Sequence, residues 1–141
     1  MPFDPQQFKI LADWLVGEKT DEASFRTAIS RIYYAAHLRA REGLIRKRPG
    51  VIPSGNFGSI HSTVIRGLRH GPTNGISRHL DALRKLREHA DYHLDSAETI
   101  FNEERRHCER ARQSASDPVS NQDWQNACEI SDRLFPLLET L

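Results

Sequence analysis

FRTAISRIYYAAHLRARE, Phe25–Glu42, is the stretch that decides the fold class. Phe25, Ile29, Ile32, Tyr33, Ala36 and Ala40 recur three or four residues apart, which lines them along one side of an α-helix and leaves none of the strict alternation of a strand. Thr20, Asp21 and Glu22 supply an N-cap and first-turn acids, and Gly43 predicts the end of the helix. Tyr33 and Tyr34 are neighbours and so point about 100° apart on a helix. Tyr33 belongs to the core stripe, and Tyr34 is free to reach a partner on another helix.

Working outward, the same periodicity recurs. Pro5–Val16 predicts a first short helix on Phe8, Leu11 and Leu15, stopped by Gly17 and placed across one end of a bundle. Ile45–Gly58, with three glycines, two prolines and the basic triplet Arg46, Lys47 and Arg48, predicts a loop that is either a solvated connector or a phosphate contact. Ser59–His70 predicts a short third helix, HGPTNG a break, and Ile76–His93 a helix facing inward through Leu80, Leu83, Leu86 and Ala90. A break between Asp91 and Asp95 separates it from a helix over Ser96–Ser114, which begins on Ser96, Ala97 and Glu98. Asp117, with Pro118 at the first helical position, predicts the start of a last helix whose seam is Trp124, Ala127, Ser131, Leu134, Leu138 and Leu141. No segment alternates Val, Ile and Thr long enough for a sheet. The expected architecture is all-α, an antiparallel bundle of four main helices plus short extra helices.

Composition sets the bounds. A chain of 141 residues is expected to form a single domain, burying roughly two thirds of its unfolded surface. A net charge of +1 gives no global field for nucleic acid, although the 20 cations, most of them arginine, can concentrate locally. Cys108 and Cys128 show no CxxC or framework spacing, which predicts reduced thiols and a cytoplasmic protein. The N-terminus lacks the features of a secretion signal, and no run approaches the roughly 18 apolar residues of a membrane span. Arg105, Arg106, His107, Arg110 and Arg112 alternate with Glu103, Glu104 and Glu109, as a solvated helix face does, with RNA contact as a second reading.

The densest chemistry lies at Leu83–His93, LRKLREHADYH. An arginine beside a histidine suits phosphodiester cleavage: guanidinium holds the phosphate and its developing charge, and imidazole moves a proton to or from the ribose oxygens. Arg87 with His93 and Arg84 with His89 both have this spacing, as does Arg31 with His37. In a chain holding 20 cations and 7 histidines such spacings arise by chance, so context carries the argument. Residues six apart on a straight helix diverge by about 120°, so Arg87 and His93 converge only across a bend or with a second subunit. His89 and His93 form an HxxxH pair, but no glutamate follows His89, and Asp95 and Glu88 are off its face; neither metal nor cofactor is expected. Asp91 stands one turn beyond Arg87, either as a surface ion pair or as the carboxylate that orients the arginine or a histidine.

Taken together, FRTAISRIYYAAHLRARE and LRKLREHADYHLD resemble the two motif helices of the HEPN domain family, over most of residues 20–115. The resemblance implies an all-α bundle, usually a homodimer with both motif helices beside its axis. It also implies, in many members, a metal-independent ribonuclease of the toxin or defence type acting on single-stranded RNA. Arg87 then matches the motif arginine, His93 its histidine, and Asp91 the orienting carboxylate, while Arg84, His89, Tyr92, Arg31 and Tyr34 are the expected binding residues around the cleft. Glu88 follows Arg87 where active members often carry Asn, Asp or His. Arg84, His89 and Tyr92 come within one residue of the R-x4-H-x-Y motif of members that pair with a nucleotidyltransferase. Arg87, Asp91 and Tyr92 match the R-x3-D-Y of a further group, closest to this chain, whose members look like stand-alone or partner-bound modules. The alternative function is therefore a non-catalytic module that binds a nucleotide, or a nucleotidyltransferase or antitoxin partner.

Overall fold

A computed structural model describes residues 2–52, 60–92 and 118–141, and all regular structure among them is helical. Five α-helices, α1 (Gln6–Glu18), α2 (Glu22–Lys47), α3 (Ile60–Gly67), α4 (Asn74–Tyr92) and α5 (Asn121–Glu139), are joined by one 3₁₀ turn at Gly71–Thr73. Polar side chains just ahead of the stripes start the helices. Asp21 accepts from the Ser24 N–H at 2.8 Å to begin α2, and Ser120 and Asp123 form a reciprocal capping box at the start of α5.

Three boundaries differ from the sequence expectations. Helix α2 runs through Gly43 to Lys47, because Gly43 is a contact rather than a stop: a Cβ there would meet the Leu141 side chain at 2.5 Å. Helix α5 begins after Ser120 rather than at Pro118, since the capping box satisfies the free N–H groups of the first turn three residues further on. The HGPTNG break is a 3₁₀ turn that leads straight into α4, with Gly71 at φ +69° and Thr73 Oγ1 donating to the Leu68 carbonyl at 2.7 Å. The expected helix over Ser96–Ser114, the break before it and Cys108 lie outside the described residues.

Direction follows from which ends meet. Arg26, near the start of α2, donates to the carbonyls of His89 and Ala90 in the last described turn of α4, at 3.1 and 2.8 Å. The Val119 N–H, just ahead of α5, donates to Glu22 at the start of α2, while Leu141 packs on Gly43. Helices α2 and α5 are therefore parallel to each other and antiparallel to α4. Helix α1 lies lengthwise against α2, not across an end of the bundle: Arg31 stacks over Phe8 and Ala12 is fully buried, while Lys9 reaches over Phe135 of α5.

The core is built from the predicted stripes of α2, α4 and α5, whereas on the stripe expected for α1 Leu11 is exposed and Ala12 is the buried residue. Phe25, Ile29, Ile32, Tyr33, Ala36 and Ala40 of α2 pack with Leu80, Leu83 and Ala90 of α4 and with Trp124, Ala127, Leu134 and Leu138 of α5. Removing apolar side chains of this size from water stabilises the fold by about 1.5–3 kcal/mol each, which is what presses the polar edges of α2 and α4 together. Helix α3 closes the other side of that seam through Val64 and Ile65, with Ser77 donating to the Ile65 carbonyl at 2.9 Å.

Candidate functional site

Arg87 lies one turn beyond Leu83 on α4, and packing of α4 on α2 leaves it only 4% exposed. A buried guanidinium needs compensation for its lost hydration. It receives an ion pair to Asp91 at 3.7 Å, and Nη1 donates to the Tyr92 hydroxyl at 3.2 Å. The guanidinium carbon also stands 5.0 Å from the ring centre of Tyr33, 5.9 Å from Tyr34 and 5.4 Å from Tyr92. Among the described residues its Nε has no hydrogen-bond partner. Tyr92 is 61% exposed, so the Nη1 end of the group is turned towards the surface side of the cluster.

Asp91 ties the arginine to α2. Its Oδ2 accepts from Ser30 Oγ at 3.2 Å, and Ser30 Oγ in turn accepts from Arg31 Nη2 at 3.3 Å. Arg31 is held between the rings of Phe8 and Tyr34, at 5.0 and 5.2 Å. Tyr34 therefore meets the motif helix through its ring face on Arg87.

Two histidines absent from the sequence-based site lie on the same side as Arg87. Tyr33, fully buried, makes a 2.7 Å hydrogen bond with Nδ1 of His61, which α3 presents half-buried. The His37 ring stands 4.4 Å from that of His61 and stacks on Tyr33 at 5.6 Å. Burial, then His61, Arg41 and Arg87, push the His37 imidazole down to about 3. Burial, with Arg87 and Arg84, also lowers His61, and burial raises the Tyr33 phenol. All three are uncharged at neutral pH. His37 is one turn beyond Tyr33 and His61 is on another helix, so neither has a spacing to Arg87 that a linear motif can express. The one available signal was the cluster Tyr33, Tyr34 and His37 on a single helix.

The remaining candidates separate. Arg84 pairs with Asp81 at 3.1 Å and with Glu88 at 2.6 Å along its own helix. Glu88 is thus engaged by Arg84. His89 is buried, its carbonyl accepts from Arg26, and its ring interacts electrostatically with Glu22, so it belongs to a different side of α4 from Arg87. Arg84 and His89 are not brought together. His93, Asp95 and the run of charged residues from Glu103 to Arg112 lie outside the described residues.

No group of three or more His, Cys, Asp or Glu side chains among the described residues is placed to hold a metal ion. None of the described helices is long and apolar enough to cross a membrane. No family model, curated protein or solved structure matches the chain.

Proposed function

We propose that this chain is a HEPN-type ribonuclease that cleaves single-stranded RNA without a metal ion, as a cytoplasmic homodimer of the toxin or defence type. One observation carries the reading: the residues that bear the resemblance on two separate helices touch one another, Ser30 with Asp91 and Tyr33 and Tyr34 with Arg87. Two polar motifs joined at a buried arginine are more than packing requires, since an apolar pair of the same size would avoid the desolvation cost.

In this reading the Nη1 end of Arg87 exchanges Tyr92 for a phosphate oxygen, and Asp91 with Ser30 fixes the plane of the guanidinium. A histidine, His93 by the resemblance, takes the proton from the ribose 2′-hydroxyl. The 2′ oxygen then bonds to phosphorus, the bond to O5′ breaks, and O5′ takes up a proton, leaving a 2′,3′-cyclic phosphate and a 5′-hydroxyl. The test is labelled single-stranded RNA incubated with the protein in EDTA, beside Arg87→Ala and His93→Ala. Cleavage by the parent protein that both substitutions abolish is expected; cleavage unchanged in both removes the assignment.

A second reading has its own support. Arg87 already has Asp91 as counter-ion and three tyrosine rings around it, an arrangement that suits a non-catalytic module docking a nucleotide, a nucleotidyltransferase or an antitoxin. RNA or nucleotide binding without any cleavage in the same assay favours it.

A further inference from the structure

We propose that His61 is a phosphate-binding residue of this site, an uncharged imidazole whose Nε2–H donates to a phosphate oxygen of the RNA. The inference rests on the reading that RNA phosphate is the ligand here, and assigns it a contact that no spacing to Arg87 suggests.

Tyr33 Oη and His61 Nδ1 are 2.7 Å apart, and Tyr33 is fully buried while His61 is half-buried, so the Nδ1 edge faces the core and the Nε2 edge faces outward. In this proposal Tyr33, which retains its phenolic proton, donates it to Nδ1, and the imidazole proton then lies on Nε2. Three rings of α2 pack against the imidazole, Tyr33 at 5.5 Å, Tyr34 at 5.9 Å and His37 at 4.4 Å. Such clamping is more than a solvated helix face needs and is what a preorganised donor requires. The charged groups acting on His61 are Arg87 and Arg84 of α4, both cationic, and uncharged Tyr33, Tyr34 and His37 come from α2. This surrounding keeps the imidazole neutral while drawing an anion towards it, so the site gains a donor without burying a further cation.

The experiment is long-range ¹H–¹⁵N NMR of the histidine rings in the full chain, from pH 5.5 to 8, with and without a short single-stranded oligoribonucleotide. The proposal expects Nδ1 of His61 to resonate as an unprotonated acceptor and Nε2 as protonated at neutral pH. The oligonucleotide should move the His61 Nε2 signal, and His61→Ala should weaken its binding about tenfold, the loss expected for one hydrogen bond to a charged group, with His61→Gln recovering part of it. A protonated Nδ1 at pH 7, or an oligonucleotide that binds without moving His61, overturns the proposal while leaving the ribonuclease reading standing. A shifted His61 signal with no cleavage of RNA supports the phosphate contact and removes the nuclease. No binding at all removes both.

Discussion

His37 should make the stability of this protein fall steeply on mild acidification. Its imidazole is 3% exposed and held down to about 3 by burial and by its neighbours His61, Arg41 and Arg87, whereas in the unfolded chain it titrates near 6.5. A folded-state value below the unfolded one means that the unfolded chain binds the extra proton, so the stabilisation is complete above pH 6.5 and is lost as the pH falls towards 3. At pH 5.0 the gap is 1.5 pH units below the unfolded midpoint, and at about 1.36 kcal/mol per unit this single residue lowers stability by about 2 kcal/mol relative to pH 7.5. His61, also lowered, adds in the same direction. His37→Phe keeps an aromatic ring on Tyr33 and removes the titration. Urea unfolding at pH 7.5, 6.5, 5.5 and 5.0 should show the parent curve dropping by about 2 kcal/mol more than the variant. Parallel pH dependences in the two proteins would refute the reasoning, because they would mean that His37 is not held neutral by this core.

Arg87→Ala should cost about 2–3 kcal/mol in chemical denaturation, at or just below the bottom of the range for breaking a buried pair, because Asp91 keeps Ser30 and partial exposure; a loss below about 0.5 kcal/mol would contradict the cluster. Arg26→Ala removes two charge-assisted bonds to the His89 and Ala90 carbonyls and should destabilise by about 2 kcal/mol, with faster amide exchange around Glu22 and Val119 as the Glu22 contact loosens. Gly43→Ala should destabilise by about 1–2 kcal/mol despite its higher helix propensity, and Gly43→Ala combined with Leu141→Ala should lose less than the sum of the two single changes. Additive losses would show that the two residues do not share the contact.

The all-helical fold was legible because its stripes are long and strictly periodic: every residue of the Phe25 to Ala40 set is buried, as are Leu80, Leu83 and Ala90 on α4. What misled was chemistry that acts through space. Gly43 reads as a helix stop until Leu141, almost a hundred positions away, is packed on it, and Ser120 outcompetes Pro118 as a helix start because Asp123 completes its cap. Within the site, Arg87 with Asp91 was legible from an i, i+4 spacing on one helix. That Asp91 is held by Ser30, and that Tyr33 shares a hydrogen bond with His61, depends on three helices meeting and has no linear signature. Arg84 and His89 have the right spacing and the wrong geometry, because residues five apart on a helix point about 140° from each other.

The central claim is that Arg87 serves a metal-free cleavage of RNA, and the ends of the products test it most directly. Mass spectrometry of a defined single-stranded RNA treated with the protein in EDTA should find 2′,3′-cyclic phosphate and 5′-hydroxyl ends, and Arg87→Ala, with its helical circular dichroism retained, should yield none. An intact RNA with the parent protein, or the same products at the same rate from Arg87→Ala, would contradict the account.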